Sequence, residues 1–440
     1  MKASSEKQCK YGPMIDLRAL EEETRIEAQE WGRRRLEEKV RARLEAFSAG
    51  EEKKLQNVQY RDVTLKTMFG EVVLRGVYGR DRESGEMVIP IRERLGLQAY
   101  QAMSPVLQDY LCFLAITCMS FGRAAESAKK IGIQVDGSQI QRLAQRAGET
   151  AEEQAHQRTS SAFNFRKRKE IVRKAQLELE GERFSLVLML DGMMLRYRGK
   201  DWGMKPASAS GERVAWNELK AGLILRIPES MTGKRRKVAK YYVASNGDPE
   251  SIGRRWYAEA LRRGLEQARR VYVIADGAVW IWNLAEEHFP DSEGKLDYYH
   301  ASEHLWALAR ALWGDDEEKV QAWVSPLLRN LKHQGGANLL SALEELLRTA
   351  EGKWNAEQCK TLKREAAYFR SHESRLDYPK DKEYGVPLGS GAMESACSQI
   401  QGRFKRPGQF WTKPGERNLL ALELAWRNRD WNEIWEPEAA

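Results

Sequence analysis

Residues 184–190 read Phe-Ser-Leu-Val-Leu-Met-Leu, a nearly unbroken apolar run. A short apolar run of this kind predicts a strand buried on both faces, so the chain must supply layers above and below it. A second run, Val271-Tyr-Val-Ile-Ala275, makes the same demand. Both strands are expected to end in the same way, at Asp191-Gly192 and at Asp276-Gly277. Asp-Gly is first a hairpin signal, and Met193–Arg198 would serve as a return strand after Asp191. That reading is weak at Asp276, because Ala278-Val-Trp-Ile-Trp-Asn-Leu284 starts a helix. If the two strands are parallel neighbours, both carboxylates fall on the sheet edge where open α/β folds bind ligands. Two carboxylates that close repel each other unless a cation holds them, which implies a hard divalent metal.

The segments around these strands predict a mixed α/β sheet. Val214–Ile227 and Lys240–Ala244 read as strands, Pro249–Arg270 as a helix, Ala278–His288 as a helix and Leu296–Tyr299 as a short strand. Three strands, a helix, a strand, a helix and a strand is a mixed-sheet order. From Ser302 to Leu376 the period is helical, broken only at Gly335-Gly336.

The N-terminal third reads differently. Asp16–Ala46 is a long charged helix whose Leu36, Val40 and Leu44 form a narrow stripe, to be covered within the chain or by a second copy. Val63–Thr67 and Val72–Arg75 flank Phe69-Gly70 as a hairpin, followed by the charged turn Arg80–Gly85. Ser104-Pro105 opens a helix to Thr117, and Phe121–Ile131 is a second, closed by Gly132. Ser138 and Gln141 predict a capping box for a third helix carrying Arg142 and Arg146, a spacing that fits a helix-turn-helix.

These patterns divide the chain into a charged helix (1–60), a hairpin module (61–100), and a helix-turn-helix-like region with a basic linker (101–180). A catalytic core (181–301), a helical insertion (302–385) and a core end with a basic, aromatic tail (386–440) complete it. Lys and Arg number 72 against 64 Asp and Glu, a formal charge of +8, which keeps nucleic acid among the partners. Arg166, Lys167, Arg168 and Lys169 make one dense basic stretch, and Lys234, Arg235, Arg236 and Lys237 another. The five Cys form no C-x-x-C pair, the first twenty residues lack a signal-peptide core, and no apolar run suits a membrane span. The expectation is an intracellular, cytoplasmic protein.

A third acid stands in Pro387-Leu-Gly-Ser-Gly-Ala-Met-Glu-Ser395. Ser390 is placed to cap a helix on which Met393, Cys397, Ile400 and Phe404 form a core stripe, with Glu394 on a polar face beside it. Free amides at that helix start would suit a phosphate. Beyond it Arg403, Lys405, Arg406 and Lys413 alternate with Phe404, Phe410 and Trp411. Cations neutralise phosphates and aromatics stack on unpaired bases, so this segment is a candidate DNA surface.

Taken together, Leu190-Asp-Gly-Met193, Ile274-Ala-Asp-Gly-Ala-Val-Trp280, Leu296-Asp-Tyr-Tyr-His-Ala-Ser-Glu-His-Leu305 and Pro387–Ser395 resemble the ISKra-type insertion-sequence transposases, within the Mutator-like DDE transposases. The resemblance runs from the hairpin near Val63 to the Trp-rich C-terminus. It implies a ribonuclease-H-like fold with Asp191, Asp276 and Glu394 as a metal-binding catalytic triad, two Mg²⁺ (or Mn²⁺) ions, and double-stranded DNA as substrate. It further implies roles for Asp297 and His300, which match the superfamily's [Cys/Asp]-x-x-His signature. Synapsis of two DNA ends would call for a homodimer or larger assembly. The spacings, 85 residues from 191 to 276 and 118 from 276 to 394, leave room for a helical insertion before the last acid. One departure stands out: Asp81 and Ser84 stand in the region where members of the resembled family often place a Cys pair, so no structural zinc is expected there.

Two other readings compete. His300-Ala-Ser-Glu-His304 also spells the H-x-x-E-H of a zinc peptidase, although a strand ending at Tyr299 would keep His300 off a regular helix with His304. Alternatively the chain is a transposase derivative that binds DNA without cutting it.

Overall fold

The computed structural model describes residues 15–45, 54–97, 101–205, 211–229 and 238–435, with two short strands at 8–9 and 12–13. The chain forms two compact units, Met1–Ala144 and Gln145–Ala440.

In the first unit β1 (Gln8–Cys9) pairs with β2 (Gly12–Pro13), and α1 spans Leu17–Glu45. Strands β3 (Leu55–Thr67), β4 (Gly70–Asp81) and β5 (Met87–Val88) make an antiparallel meander with Thr67 opposite Gly70. The predicted hairpin is therefore present, with arms that extend into polar sequence. Its inner face buries Val63, Val72 and Leu74 with Ile91 of α2 (Pro90–Arg94), and Leu36, Val40 and Leu44 of α1 pack on them. The stripe on α1 is covered inside its own unit. In the charged turn Asp81 Oδ1 accepts the amides of Glu83 and Ser84 and the Ser84 hydroxyl, so hydrogen bonds hold the turn.

Helices α3 (Pro105–Thr117) and α4 (Phe121–Lys130) follow, the first capped by Ser104 as its sequence predicts. Helix α5 runs from Gly137 to Ala162 and corrects the predicted cap. Asp136, not Ser138, accepts from the amide of Gln139, and the Gln139 side chain accepts from the amide of Asp136. Asp136-x-x-Gln139 is itself a capping pair, and it begins the helix two residues earlier.

The second unit contains α6 (Phe165–Glu178), β6 (Phe184–Arg198), β7 (Val214–Pro228), β8 (Ala239–Ser245), α7 (Pro249–Arg262), β9 (Arg270–Ala275), α8 (Val279–His288) and β10 (Glu293–Leu296). Then come α9 (Tyr298–Trp313), α10 (Glu317–Gln334), α11 (Ala337–Arg348), α12 (Ala356–Ser371), α13 (Gly391–Phe404) and α14 (Lys413–Asn428). The sheet has the order β10-β9-β6-β7-β8, with β6, β7 and β8 antiparallel and β9 and β10 parallel to β6. It is the mixed sheet that the element order predicts. Leu186, Leu188, Leu190, Ile224 and Val273 on one face bury Trp256, Ile281 and Trp282 from α7 and α8. Helices α9–α12 close on a separate core that includes Leu305, Val324, Leu343 and Phe369.

Three boundaries differ from expectation. Strand β6 does not stop or turn at Asp191-Gly192: it stays paired with β7 from Phe184 opposite Pro228 to Arg198 opposite Val214. Gly192 is not among the glycines with positive φ, so nothing there forces a turn. Helix α7 ends near Arg262 because Gly264 takes a φ of +96°, outside helical space. Leu296–Tyr299 is not a strand either. Strand β10 ends at Leu296, and Asp297 caps α9 by accepting the amides of Tyr299 and His300. The apolar look of Leu-Asp-Tyr-Tyr masked an N-cap.

Candidate active site

Strands β6 and β9 run parallel, with Met189 level with Ile274. Continuing that register by two places sets Asp191, still inside β6, beside Asp276, the first residue after β9. Leu190 and Ala275 belong to the core under α7 and α8, so alternation turns both aspartates to the opposite face. On that face α13 crosses β6, and the Cys397 thiol donates to Asp191 Oδ2 across 3.6 Å. Asp191 Oδ1 accepts the Gly192 amide at 2.7 Å. Burial lifts the Asp191 carboxyl above the usual range, and the charge of Asp276 adds to it; the Gly192 amide, Cys397 and His300 oppose the rise.

Asp276 closes β9 with a turn that starts α8, its Oδ1 accepting the Ala278 amide at 3.0 Å. Its backbone carbonyl accepts the Tyr368 hydroxyl of α12 at 2.9 Å. Gly277 is required twice over: its φ is +99°, and a Cβ there would lie 2.7 Å from the Tyr368 ring and 3.1 Å from His372 Nε2. Burial and the Asp276 charge together push the Tyr368 phenol above its ordinary range, so it stays a donor.

Asp297 is fully buried and accepts four hydrogen bonds. Oδ1 takes the amides of Tyr299 and His300 at 2.6 and 3.2 Å, and Oδ2 takes the amide of Ser390 at 2.6 Å and the Ser390 hydroxyl. Gly389 makes room for this, since a Cβ there would stand 2.6 Å from Asp297 Oδ1. Ser390 thus does not cap its own helix with its side chain, as expected from sequence, but turns its hydroxyl to Asp297.

On α13, Met393, Cys397, Ile400 and Phe404 are buried as the stripe predicts, while Glu394 is exposed in the first turn. Burial, followed by the charges of Asp191 and Glu394, pushes the Cys397 thiol up to about 12. Among the described residues, Asp297, His300 and Glu394 form a group of three whose possible metal-ligand atoms all lie within 4.8 Å of one another. With four donors on Asp297, His300 and Glu394 are the members left to reach a metal or a phosphate.

Other predicted residues lie elsewhere or play another part. Arg142 and Arg146 are exposed on α5. Arg166, Lys167, Arg168 and Lys169 are exposed on the first turns of α6, where Arg168 pairs with Glu266 at 2.7 Å. Lys234, Arg235, Arg236 and Lys237 lie outside the described residues. Lys405 and Lys413 are exposed and Arg406 is half-buried, but Arg403 is buried with its guanidinium 5.8 Å from the Trp411 ring. Phe404 and Trp411 are also buried, 5.2 Å apart, and the Trp411 indole donates to the Phe404 carbonyl. These two rings are core and are not open to bases: the end of α13 needs an apolar floor, and they supply it.

His300 and His304 do share the regular helix α9, contrary to expectation. His304 nevertheless turns away from the group of three, with Nδ1 2.6 Å from Glu365 Oε2 and its ring stacked on Tyr368 at 4.1 Å. Sequence reasoning missed Tyr368 and His372 altogether, because they come from α12 with no local signal. Cys397 was legible only as a core position.

A family model described as "Uncharacterised protein family (UPF0236)" matches residues 14–173 and 232–434. A curated relative, the "UPF0236 protein in vanSb 3'region" of Streptococcus gallolyticus, is 26% identical over 380 residues, covering 85% of this chain and 74% of the relative. A solved structure titled "Drosophila P element transposase strand transfer complex" aligns with 9% identity and a TM-score of 0.35, over 78% of this chain and 96% of that one. No helix among the described residues is long and apolar enough to cross a membrane. Since its family match spans both units and most of their length, the chain belongs to the UPF0236 family.

Proposed function

We propose that this protein is a metal-dependent DNA transposase of the DDE class, resembling the ISKra type, with a ribonuclease-H-like core. The observation that carries the reading is the meeting of Asp191 and Asp276 at one sheet edge, with His300 near enough to act on Asp191 and itself grouped with Glu394. The mixed sheet order, and a helical block inserted before the last acid, support the same reading.

The donor set fits hard divalent cations. Asp191 and Asp276 are like charges side by side, and their repulsion helps lift the Asp191 carboxyl. Asp191, Asp276 and Glu394 would hold two Mg²⁺ or Mn²⁺ ions with carboxylate oxygens and offset their charge. When bound, such ions activate an attacking oxygen and stabilise a leaving one. Within the chain, Asp297 fixes the start of α9 and so aims His300, whose half-exposed ring would contact the scissile phosphate or position the nucleophile. The Tyr368 phenol and the Gly277 turn hold Asp276 at its height on the sheet. The reaction so served is hydrolysis that frees a 3′-OH on one strand, followed by attack of that hydroxyl on target DNA.

The test is strand cleavage of DNA flanking the protein's own coding sequence, with Mg²⁺ or Mn²⁺. Asp191→Asn, Asp276→Asn and Glu394→Gln should each lose cleavage while DNA binding persists, because phosphate contacts dominate affinity. Near-normal cleavage in any of the three removes that residue from the triad. Binding without cleavage by the parent protein would favour the non-catalytic derivative.

A further inference from the structure

Beyond Asp191, strands β6 and β7 continue as a ribbon that β9 no longer pairs. One face is buried, through Met193, Leu195 and Tyr197. The other face carries Arg196 and Arg198, with Trp216 of β7 directly opposite Arg196. Trp216 is 53% exposed, and Trp202, just past the ribbon, is 42% exposed. Phe410, from the segment after α13, packs on Trp202 with ring centroids 4.8 Å apart. The Arg196 guanidinium sits 5.9 Å from the Trp216 ring and 5.3 Å from the Phe410 ring, and that of Arg198 sits 5.5 Å from Trp202.

This patch is built rather than incidental. The Trp411 amide donates to the Arg196 carbonyl at 3.0 Å and the Arg198 amide to the Trp411 carbonyl at 2.9 Å, so the C-terminal segment joins the ribbon edge. The Arg196 side chain donates to the Arg406 carbonyl, and buried Asp201 accepts the Glu212 amide at 2.9 Å, fixing the turn that carries Trp202. Rigid aromatic rings interleaved with guanidinium groups suit a ligand that offers both flat faces and negative charge. An apolar protein surface would desolvate the two guanidinium groups without offering them a counter-charge, at a cost. A single strand of DNA offers bases to the rings and phosphates to the cations.

We propose that Trp202, Trp216 and Phe410, with Arg196 and Arg198, form a stacking platform for unpaired bases of a DNA strand; this rests on the DNA-processing reading above. Arg196 lies five residues past Asp191, about 17 Å along the strand and on the opposite face of the ribbon. A strand leaving the acids therefore passes round the ribbon edge to reach the rings.

Fluorescence anisotropy of the full chain with a labelled oligo(dT) strand and with a mixed-sequence duplex tests this. Trp202→Ala/Trp216→Ala should weaken oligo(dT) binding by about tenfold or more and leave duplex binding nearly unchanged. Trp202→Phe/Trp216→Phe should recover most of the loss, and unchanged thermal melting shows that the variants fold. Such a loss supports the platform even in a protein that cuts no DNA, so it stands apart from the catalytic reading. Unchanged oligo(dT) affinity in the double alanine variant overturns the platform and leaves the catalytic reading in place. A shift in oligomeric mass with oligo(dT) binding intact overturns it as well, in favour of a surface between protein copies.

Discussion

The backbone amide of Ser390 donates to Oδ2 of Asp297 at 2.6 Å, joining the start of α13 to the cap of α9 across 93 residues of sequence. Because the same side chain holds the amides of Tyr299 and His300, one buried acidic residue orients the two helix ends that carry His300 and Glu394. A buried hydrogen bond contributes about 0.5–1.5 kcal/mol net, and this one side chain accepts four.

Ser390→Ala should remove one of these bonds while leaving the backbone amide in place. We expect a loss of about 1–2 kcal/mol and a melting temperature lower by a few degrees, read by calorimetry. Asp297→Ala strands three amides and a hydroxyl and should cost at least twice as much. Identical melting in Ser390→Ala and the parent would show that the hydroxyl contributes nothing.

How legible this site was in the sequence depended on whether a residue acts on its own neighbours along the chain. The position of Asp276, closing an apolar strand before a helix, and that of Glu394, beside a core stripe, are both legible in the sequence. Asp191 was legible as an acid but not as a mid-strand residue, because Asp-Gly also signals a turn and only the register with β7 shows that none occurs. Tyr368 reaches Asp276 from α12, and Ser390 reaches Asp297 instead of its own helix. Contacts of that kind depend on how the helical block packs, which no window of neighbouring residues encodes. The burial of Phe404 and Trp411 escapes the sequence for a related reason: periodicity shows alternation, but not which side of the segment becomes the floor of α13.

Glu416 offers a pH-dependent prediction away from the acids. It is fully buried at the start of α14, where its Oε2 accepts from Asn246 at 2.6 Å, and burial pushes its carboxyl up to about 7. A carboxyl raised in the folded state stabilises the fold while protonated. That stability is complete below the unfolded value near 4.5 and is lost as pH rises through about 7. The loss from this group is roughly 3 kcal/mol. Glu416→Gln should therefore melt like the parent at pH 5 and higher than the parent at pH 8. A parent whose stability does not fall across that range, relative to the variant, would contradict it.

The tail predicts two separable phenotypes. Lys405 is exposed, so Lys405→Ala should reduce the slope of log K against log salt for duplex binding by about one, with melting unchanged. Arg403 is buried against Trp411, so Arg403→Ala should lower the melting temperature through lost packing. A salt slope unmoved by Lys405→Ala would take that lysine off the DNA surface.

A transposase and a zinc peptidase would use His304 and Glu394 in opposite ways. As a peptidase, the chain needs His300 and His304 on one zinc ion, with Glu394 incidental. In the structure His304 is engaged elsewhere. Its Nδ1 bonds Glu365, whose carboxyl is held below the usual range in part by that bond, and its ring stacks on Tyr368. Tyr368 in turn holds the carbonyl of Asp276. His304→Ala should then cost about 2 kcal/mol of stability and slow Mg²⁺-dependent cleavage without changing the metal content of the purified protein. Glu394→Gln should abolish cleavage with melting nearly unchanged, since the side chain is exposed and the amide keeps its shape. Metal analysis and a cleavage assay on the two variants decide the matter: zinc lost from His304→Ala, with Glu394→Gln fully active, would sink the transposase assignment.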